Sequence, residues 1–72
     1  MAKEISYNKL WKLLIDKGMK KTDLKEVCGI SSASIAKLGK NDNLTTAVLT
    51  KICIGLKCDI SDIMEVIDIE EK

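Results

Sequence analysis

Histidine, proline, phenylalanine and arginine are all absent from this chain, so its twelve basic residues are lysines. Without histidine there is no Ser-His-Asp or Cys-His pair, and no phosphate-binding loop is present, so we expect no enzymatic activity and no catalytic residues. The three cysteines do not form a CxxC pair. A zinc site would therefore need carboxylates at an unusual spacing, and we expect neither a metal nor a cofactor.

Long apolar runs are absent as well. The N-terminal segment MAKEISYNK has no apolar core of the kind found in signal peptides. The longest apolar runs, residues 13–15 and 52–56, are too short to span a bilayer. We expect a cytoplasmic protein with no membrane partner, folded as one domain over residues 1–72. Disulfides are not expected in a reducing compartment, and a redox role for Cys58 stays open.

The net charge of +1 is distributed unevenly along the chain. Residues 1–40 contain nine lysines and four acidic residues, a net charge of +5, whereas residues 41–72 contain three lysines and seven acidic residues, a net charge of −4. The electric field of such a charge distribution would orient the basic part of the domain towards phosphate groups. Lysine-rich helices are also common as plain solvated surface, so charge alone does not decide the function.

Residues 20–40 have the pattern of two short helices joined by a turn. The first helix is predicted over residues 21–28, and Gly29 ends it because glycine takes a left-handed conformation without a Cβ clash. Ser31 is a suitable N-cap for a second helix over residues 32–40. Ile35 and Leu38 lie on one face of that second helix, and its other faces carry small, hydroxylated or cationic side chains. A helix of this kind suits the major groove of DNA.

The pattern Leu24, Gly29, Ile30, Ser31 and Ile35 resembles the helix-turn-helix of the lambda-repressor-like family, which includes the Cro and cI repressors. The resemblance extends over about residues 7–64. It implies an all-α, five-helix DNA-binding domain. The residues that it implicates in DNA contact are Lys21, Thr22, Ser32, Ala33, Ser34, Ala36 and Lys37. Because arginine is absent, base reading would rely on serine hydroxyls, lysine ammonium groups, alanine methyl groups and DNA shape.

The link after the second helix adds three candidates for phosphate contact, Lys40, Asn41 and Asn43. In relatives this connection lies along the DNA backbone, and asparagine amides are able to donate to phosphate. A plainer use of both asparagines is capping or left-handed geometry, in which this residue is common. The two uses are compatible.

Three further helices are predicted. One of them precedes the two helices described above: it begins after Ser6 and runs through Lys17. Its apolar stripe consists of Tyr7, Leu10, Trp11, Leu14 and Ile15. Trp11 is assigned to the core or an interface, and the rival role is an aromatic stacker. The fourth helix, residues 46–56, is capped by Thr45, and the last, from Ser61 to about Val66, is capped by Ser61. A short two-stranded β-ribbon formed by the N- and C-termini is a further possibility, since residues 65–69 alternate β-branched and acidic side chains.

Several apolar residues remain without cover in so small a domain, which usually indicates an interface. We predict a homodimer through the last helix and tail, about residues 61–72. The predicted interface residues are Ile54, Ile63, Val66, Ile67 and Ile69.

The predicted function is sequence-specific binding of double-stranded DNA by a small transcriptional regulator, with repression by operator occupancy as the simplest mechanism. The chain has no room for an effector domain, so no small-molecule effector is expected. The alternative is a protein-interaction module, such as an antitoxin or adaptor that keeps the helix-turn-helix fold. Salt distinguishes the two, because DNA binding through lysines weakens steeply with ionic strength.

Overall fold

The structure, a computed structural model, describes residues 2–69. Two short strands at the ends of this range pair with each other, and helices occupy the sequence between them. In chain order the elements are β1 (Ala2–Ser6), α1 (Asn8–Asp16), α2 (Asp23–Cys28), α3 (Ser32–Gly39), α4 (Thr46–Leu56), a 3-10 helix (Ile60–Asp62) and β2 (Glu65–Ile69). The end of the predicted dimer tail, residues 70–72, lies outside the described residues.

Helices α3 and α4 begin where their caps predict. The Ser31 Oγ accepts the N–H of Ser34 at 3.1 Å. The Thr45 Oγ1 accepts the N–H of Val48 at 3.3 Å. Each bond satisfies a backbone donor that the first helical turn leaves without a partner, which is why both helices start at these residues.

Helix α1 differs from its prediction at the start and on one edge. Its N-cap position is Tyr7, whereas Ser6 belongs to β1 and accepts the N–H of Asn8 through its hydroxyl at 3.3 Å. Ile15 was expected in the core stripe but is 75% exposed. Ile15 lies one helical turn after Trp11, at the outer edge of the apolar stripe. Helix α1 buries only the centre of that stripe, at Leu10 and Leu14.

The hydrophobic core is formed by side chains from all four α-helices, together with residues before, between and after them. Fully burying a large aliphatic side chain contributes about 1.5–3 kcal/mol, so this cluster is the main source of cohesion. Its buried members are Tyr7, Leu10, Leu14, Leu24, Cys28, Ile30, Leu38, Leu49, Ile52, Leu56 and Ile63.

Helices α2 and α4 approach each other closely at Gly55. A Cβ atom added there would lie 2.6 Å from the Cys28 Sγ and 2.8 Å from the Val27 carbonyl oxygen. The Cys28 thiol also donates to the Ile52 carbonyl across the same contact, with a sulfur to oxygen distance of 3.8 Å. Glycine in α4 therefore allows α2, the first helix of the predicted helix-turn-helix, to pack this closely against α4.

The prediction of a fifth α-helix, from Ser61 to about Val66, needs correction. Residues 2–69 contain four α-helices, and this segment is not one of them. Asp59, rather than Ser61, caps this segment: its carboxylate accepts the N–H of Ile60 at 2.7 Å, and the Asp62 carboxylate accepts the N–H of Asp59 at 2.9 Å. The cap supports only one 3-10 turn. The β-branched side chains that follow favour an extended strand, so the chain continues as β2 instead of a helix.

The β-ribbon is present. Strands β1 and β2 pair antiparallel, with Ile5 opposite Val66 and Lys3 opposite Asp68. The Lys3 Nζ lies 2.7 Å from the Asp68 Oδ1, but both side chains are exposed, so this ion pair adds little stability. Backbone pairing therefore joins the two ends of the described chain.

The predicted dimer residues differ in burial. Ile54 is 71% exposed and Val66 is 62% exposed, while Ile67 and Ile69 are half-buried. Ile63 is fully buried in the core. Its assignment to the interface needs correction, because a side chain with no exposed surface has nothing to offer a second copy.

Candidate nucleic-acid interface

The turn between α2 and α3 is built by three adjacent residues. Gly29 has a φ of +67°, the left-handed conformation expected of it, and its N–H donates to the Lys25 carbonyl at 3.1 Å. Ile30 is buried beneath the turn, and Ser31 caps α3. The local sequence thus fixes the angle at which α3 leaves α2.

The outward side of α3 carries small and cationic side chains. Leu38 is buried and Ile35 is half-buried, so one edge anchors the helix to the core. The exposed predicted residues are Ser32, Ala33, Ala36 and Lys37. This surface is narrow and offers a hydroxyl, two methyl groups and one ammonium group.

Ser34 is the exception among the predicted α3 residues. It is half-buried, and its Oγ lies 3.2 Å from the Ser31 Oγ, which donates to it. Its backbone N–H is also bonded to the same Ser31 oxygen. The Ser34 side chain is therefore tied to the helix cap, and less of it is available to a ligand than of its neighbours.

The start of α2 places two further predicted residues on the surface. Thr22 and Lys21 are both exposed. The Lys21 ammonium lies over the ring of Trp11, 4.4 Å from the ring centroid. Trp11 is half-buried at the edge of the core, so the structure combines its predicted core role with a cation–π contact that sequence spacing did not indicate.

The link from α3 to α4 is attached to the start of α1. Asn41 has a φ of +57° and ends α3 in a Schellman arrangement, with the N–H of Asp42 donating to the Lys37 carbonyl at 2.9 Å. The Asn41 Oδ1 accepts the N–H of Tyr7 at 3.3 Å. The predicted structural use of Asn41 is thus observed, while Lys40 and Asn43 are exposed.

Tyr7 is the residue of this region that sequence reasoning missed, because its apolar spacing assigned it only to the core. Its hydroxyl donates to the Asp42 carbonyl at 2.9 Å, so the same residue fixes the link through its backbone and its side chain. Burial, together with the nearby Asp42 carboxylate, raises the pKa of the Tyr7 phenol. The hydroxyl therefore keeps its proton for this bond. No local sequence signal marks such a contact.

Residues 2–69 contain no group of three or more cysteine or carboxylate side chains placed to hold a metal ion. Within the same residues, no helix has both the length and the apolar character needed to cross a bilayer.

Comparison with known proteins agrees with this geometry. The family model of the Cro/C1-type HTH DNA-binding domain matches residues 9–68. Among solved structures, the crystal structure of the transcriptional regulator VanUg, form II, is similar to this chain with a TM-score of 0.86 and 52% sequence identity. The match covers 93% of this chain and 89% of that one. No curated protein matches.

Proposed function

Because the chain belongs to the Cro/C1-type helix-turn-helix family, we propose that it is a transcriptional regulator that binds double-stranded DNA sequence-specifically as a homodimer. The proposed regulatory effect is repression, in which the bound protein occupies an operator and excludes polymerase. A regulator must reach DNA, so we retain the cytoplasm as its proposed location.

The observation that carries this proposal is the outward side of α3. Ser32, Ala33, Ala36 and Lys37 are exposed on a helix that is anchored to the core by Leu38 and oriented by the Gly29 turn. The major groove is about 12 Å wide and accepts one α-helix, with base edges contacted from the N-terminal turns of that helix. A slim helix with small side chains approaches the bases closely.

The proposed mechanism divides the contacts by type. Side chains of α3 read base edges, with Ala33 and Ala36 available to thymine methyl groups and Lys37 to guanine acceptors. Lys21, Thr22, Lys40 and Asn43 would bind phosphates, which position the protein without specifying sequence. The Oδ1 of Asn41 is bonded to Tyr7 and its backbone N–H donates to the Leu38 carbonyl, so its side-chain amide nitrogen is the donor that remains for phosphate.

The test is selection from a random-duplex pool followed by fluorescence anisotropy at two salt concentrations. We expect a palindromic site to be enriched and its affinity to fall as salt rises, because each phosphate contact releases counterions. Absence of binding at low salt would contradict the proposal.

Lys37→Ala separates base reading from phosphate binding. If Lys37 reads a base, the loss is about 1–3 kcal/mol on the selected sequence and much smaller on duplexes altered at that base pair. A uniform loss on all duplexes would reassign Lys37 to a phosphate. Lys51→Ala is the matched control, because it removes an exposed lysine from α4 rather than α3.

A second candidate is a protein-interaction module, such as an antitoxin or adaptor. The exposed apolar side chains of Ile54 and Val66 favour it, since they offer contact surface that DNA would not use. Binding through such residues depends weakly on salt, whereas binding of DNA through lysines depends on it strongly.

A further inference from the structure

The loop between α1 and α2 is held in place at both ends. At its start the N–H of Met19 donates to the Leu14 carbonyl at 2.9 Å. At its end the Asp23 carboxylate accepts the N–H of Lys20 at 2.8 Å, while the N–H of Asp23 donates to the Lys20 carbonyl at 3.0 Å. The backbone that carries Lys21 is therefore fixed before any ligand arrives.

The side chain of Lys21 is oriented as well, by its contact with Trp11. The ammonium lies 4.4 Å from the indole centroid, and tryptophan is the strongest aromatic partner for a cation. Trp11 is packed against the core, so its ring cannot turn away freely. The neighbouring exposed Lys20 has no such aromatic contact in the part of the chain that the structure describes.

We propose that Trp11 is a positioning residue for DNA binding, which holds the Lys21 ammonium in place for a phosphate contact at the start of α2. The proposal rests on the function proposed above. A lysine side chain loses considerable rotamer freedom when it is immobilised, and this loss weakens its contacts. The cation–π contact with Trp11 restricts the Lys21 side chain already in the free protein, so less rotamer freedom is lost when DNA binds. The ammonium keeps its charge and its donors for the phosphate.

The opposite effect gives the test its contrast. A cation held on the ring has to keep that position when phosphate binds, or leave it at a cost. If the cost dominated, Trp11 would withhold Lys21 from DNA, and its removal would strengthen binding. Exposure of Lys21 favours the positioning role, because one side of the ammonium faces the ring while solvent reaches the rest.

The experiment is a double-mutant cycle on the duplex that the wild-type protein selects. Affinities are measured for the wild type, Trp11→Leu, Lys21→Met and the double variant. We expect Trp11→Leu to weaken binding about three-fold, and to have little further effect once Lys21 is absent. Trp11→Phe should restore part of the loss, because it keeps an aromatic face. Lys20→Met is the control lysine, and its loss should be unaffected by the residue at position 11.

Three outcomes would overturn the inference. Equal losses from Trp11→Leu with and without Lys21 would show a purely structural role, and a gain in affinity would show that the ring withholds the ammonium. No change would remove Trp11 from binding altogether. If Trp11→Leu does not fold, Trp11→Met, which fills irregular space, replaces it in the same cycle. If wild-type protein binds no duplex, the proposed function itself fails, a result distinct from all of these.

Discussion

Among the four glycines, Gly55 has the least room for a side chain, because α2 lies directly against its Cα. Gly55→Ala would place a Cβ 2.8 Å from the Val27 carbonyl oxygen and 3.0 Å from the Cys28 Cα, both backbone atoms that cannot turn aside. Overpacking costs about 1–3 kcal/mol, and contact with backbone atoms places this cost in the upper half of that range, while alanine regains about 1 kcal/mol of helix propensity. We expect urea unfolding to show a net loss of about 1–2 kcal/mol.

The matched control is Gly39→Ala at the end of α3, where an added Cβ has no neighbour within 4 Å and φ is ordinary. This change should leave the free energy of unfolding equal or raise it by up to about 1 kcal/mol. If the Gly55→Ala variant were as stable as the wild type, α2 and α4 would not pack as closely as described.

Cys58 is a residue whose chemistry follows from its surroundings. Burial, and then the nearby Cys53 and Asp62, raise the pKa of the Cys58 thiol from the ordinary 9.0 to about 11, against a smaller opposing effect of Lys17. The thiolate is the reactive form, so we expect slow alkylation of Cys58 at pH 8 in the folded protein and faster alkylation in urea. Peptide mass spectrometry of iodoacetamide-treated protein measures both rates.

The same pKa gives a direction for stability. The folded chain keeps the Cys58 proton to a higher pH than the unfolded chain, so this contribution is complete below pH 9.0 and is lost as the pH rises towards about 11. Cys58→Ser should flatten that decline. Rapid alkylation of the folded protein at pH 8 would contradict the prediction and favour a redox role.

Among the elements, the segment before β2 gives a direct test of which residue caps it. The Asp59 carboxylate accepts the N–H of Ile60, and the backbone N–H of Asp59 is bonded to Asp62. Asp59→Ala should lower the free energy of unfolding by about 1 kcal/mol, the usual value of an N-cap. Ser61→Ala, at the residue that the sequence predicts as cap, should stay within about 0.5 kcal/mol of wild type in the same urea titration. The reverse order of losses would support the helix predicted from Ser61.

The predictability of each element depended on whether its signal was local. Ser31 and Thr45 determine the starts of α3 and α4 through bonds three residues away, so the sequence alone placed these starts correctly. In the last segment Ser61 was predicted as the cap, but Asp59 is the residue that caps it, and residues suited to a strand follow. Choosing between helix and strand there required the partner strand β1, whose residues are 59 to 67 positions away along the chain.

The candidate site shows the same division. The outward side of α3 follows from helical periodicity and was predicted from the sequence. The contacts that orient its surroundings join residues distant in the chain: Tyr7 with Asn41, Trp11 with Lys21, and Gly55 with α2. Spacing does not reveal such contacts, because they depend on how helices pack against each other. Ile63 was misassigned for the same reason, since the depth of a side chain in the core is a tertiary property.

For the whole molecule, the remaining question is what covers its exposed apolar side chains. Ile54 on α4 and Val66 on β2 are both largely exposed, and both belong to the predicted dimer surface. A two-fold dimer would cover them and would present two copies of α3 to half-sites about one helical turn, roughly 34 Å, apart. Assembly and operator recognition are therefore expected to fail together.

We predict that Ile54→Asp and Val66→Asp each shift the protein towards monomer in sedimentation equilibrium, because a buried unpaired carboxylate is costly in an interface. Affinity for a full palindrome should then fall, while the weaker binding of a single half-site is retained. Ile15→Asp is the control, since Ile15 is 75% exposed on α1 and lies outside the predicted surface. If Ile15→Asp alone produced monomers, the dimer would form through α1, and the acidic half of the molecule would be free for another partner.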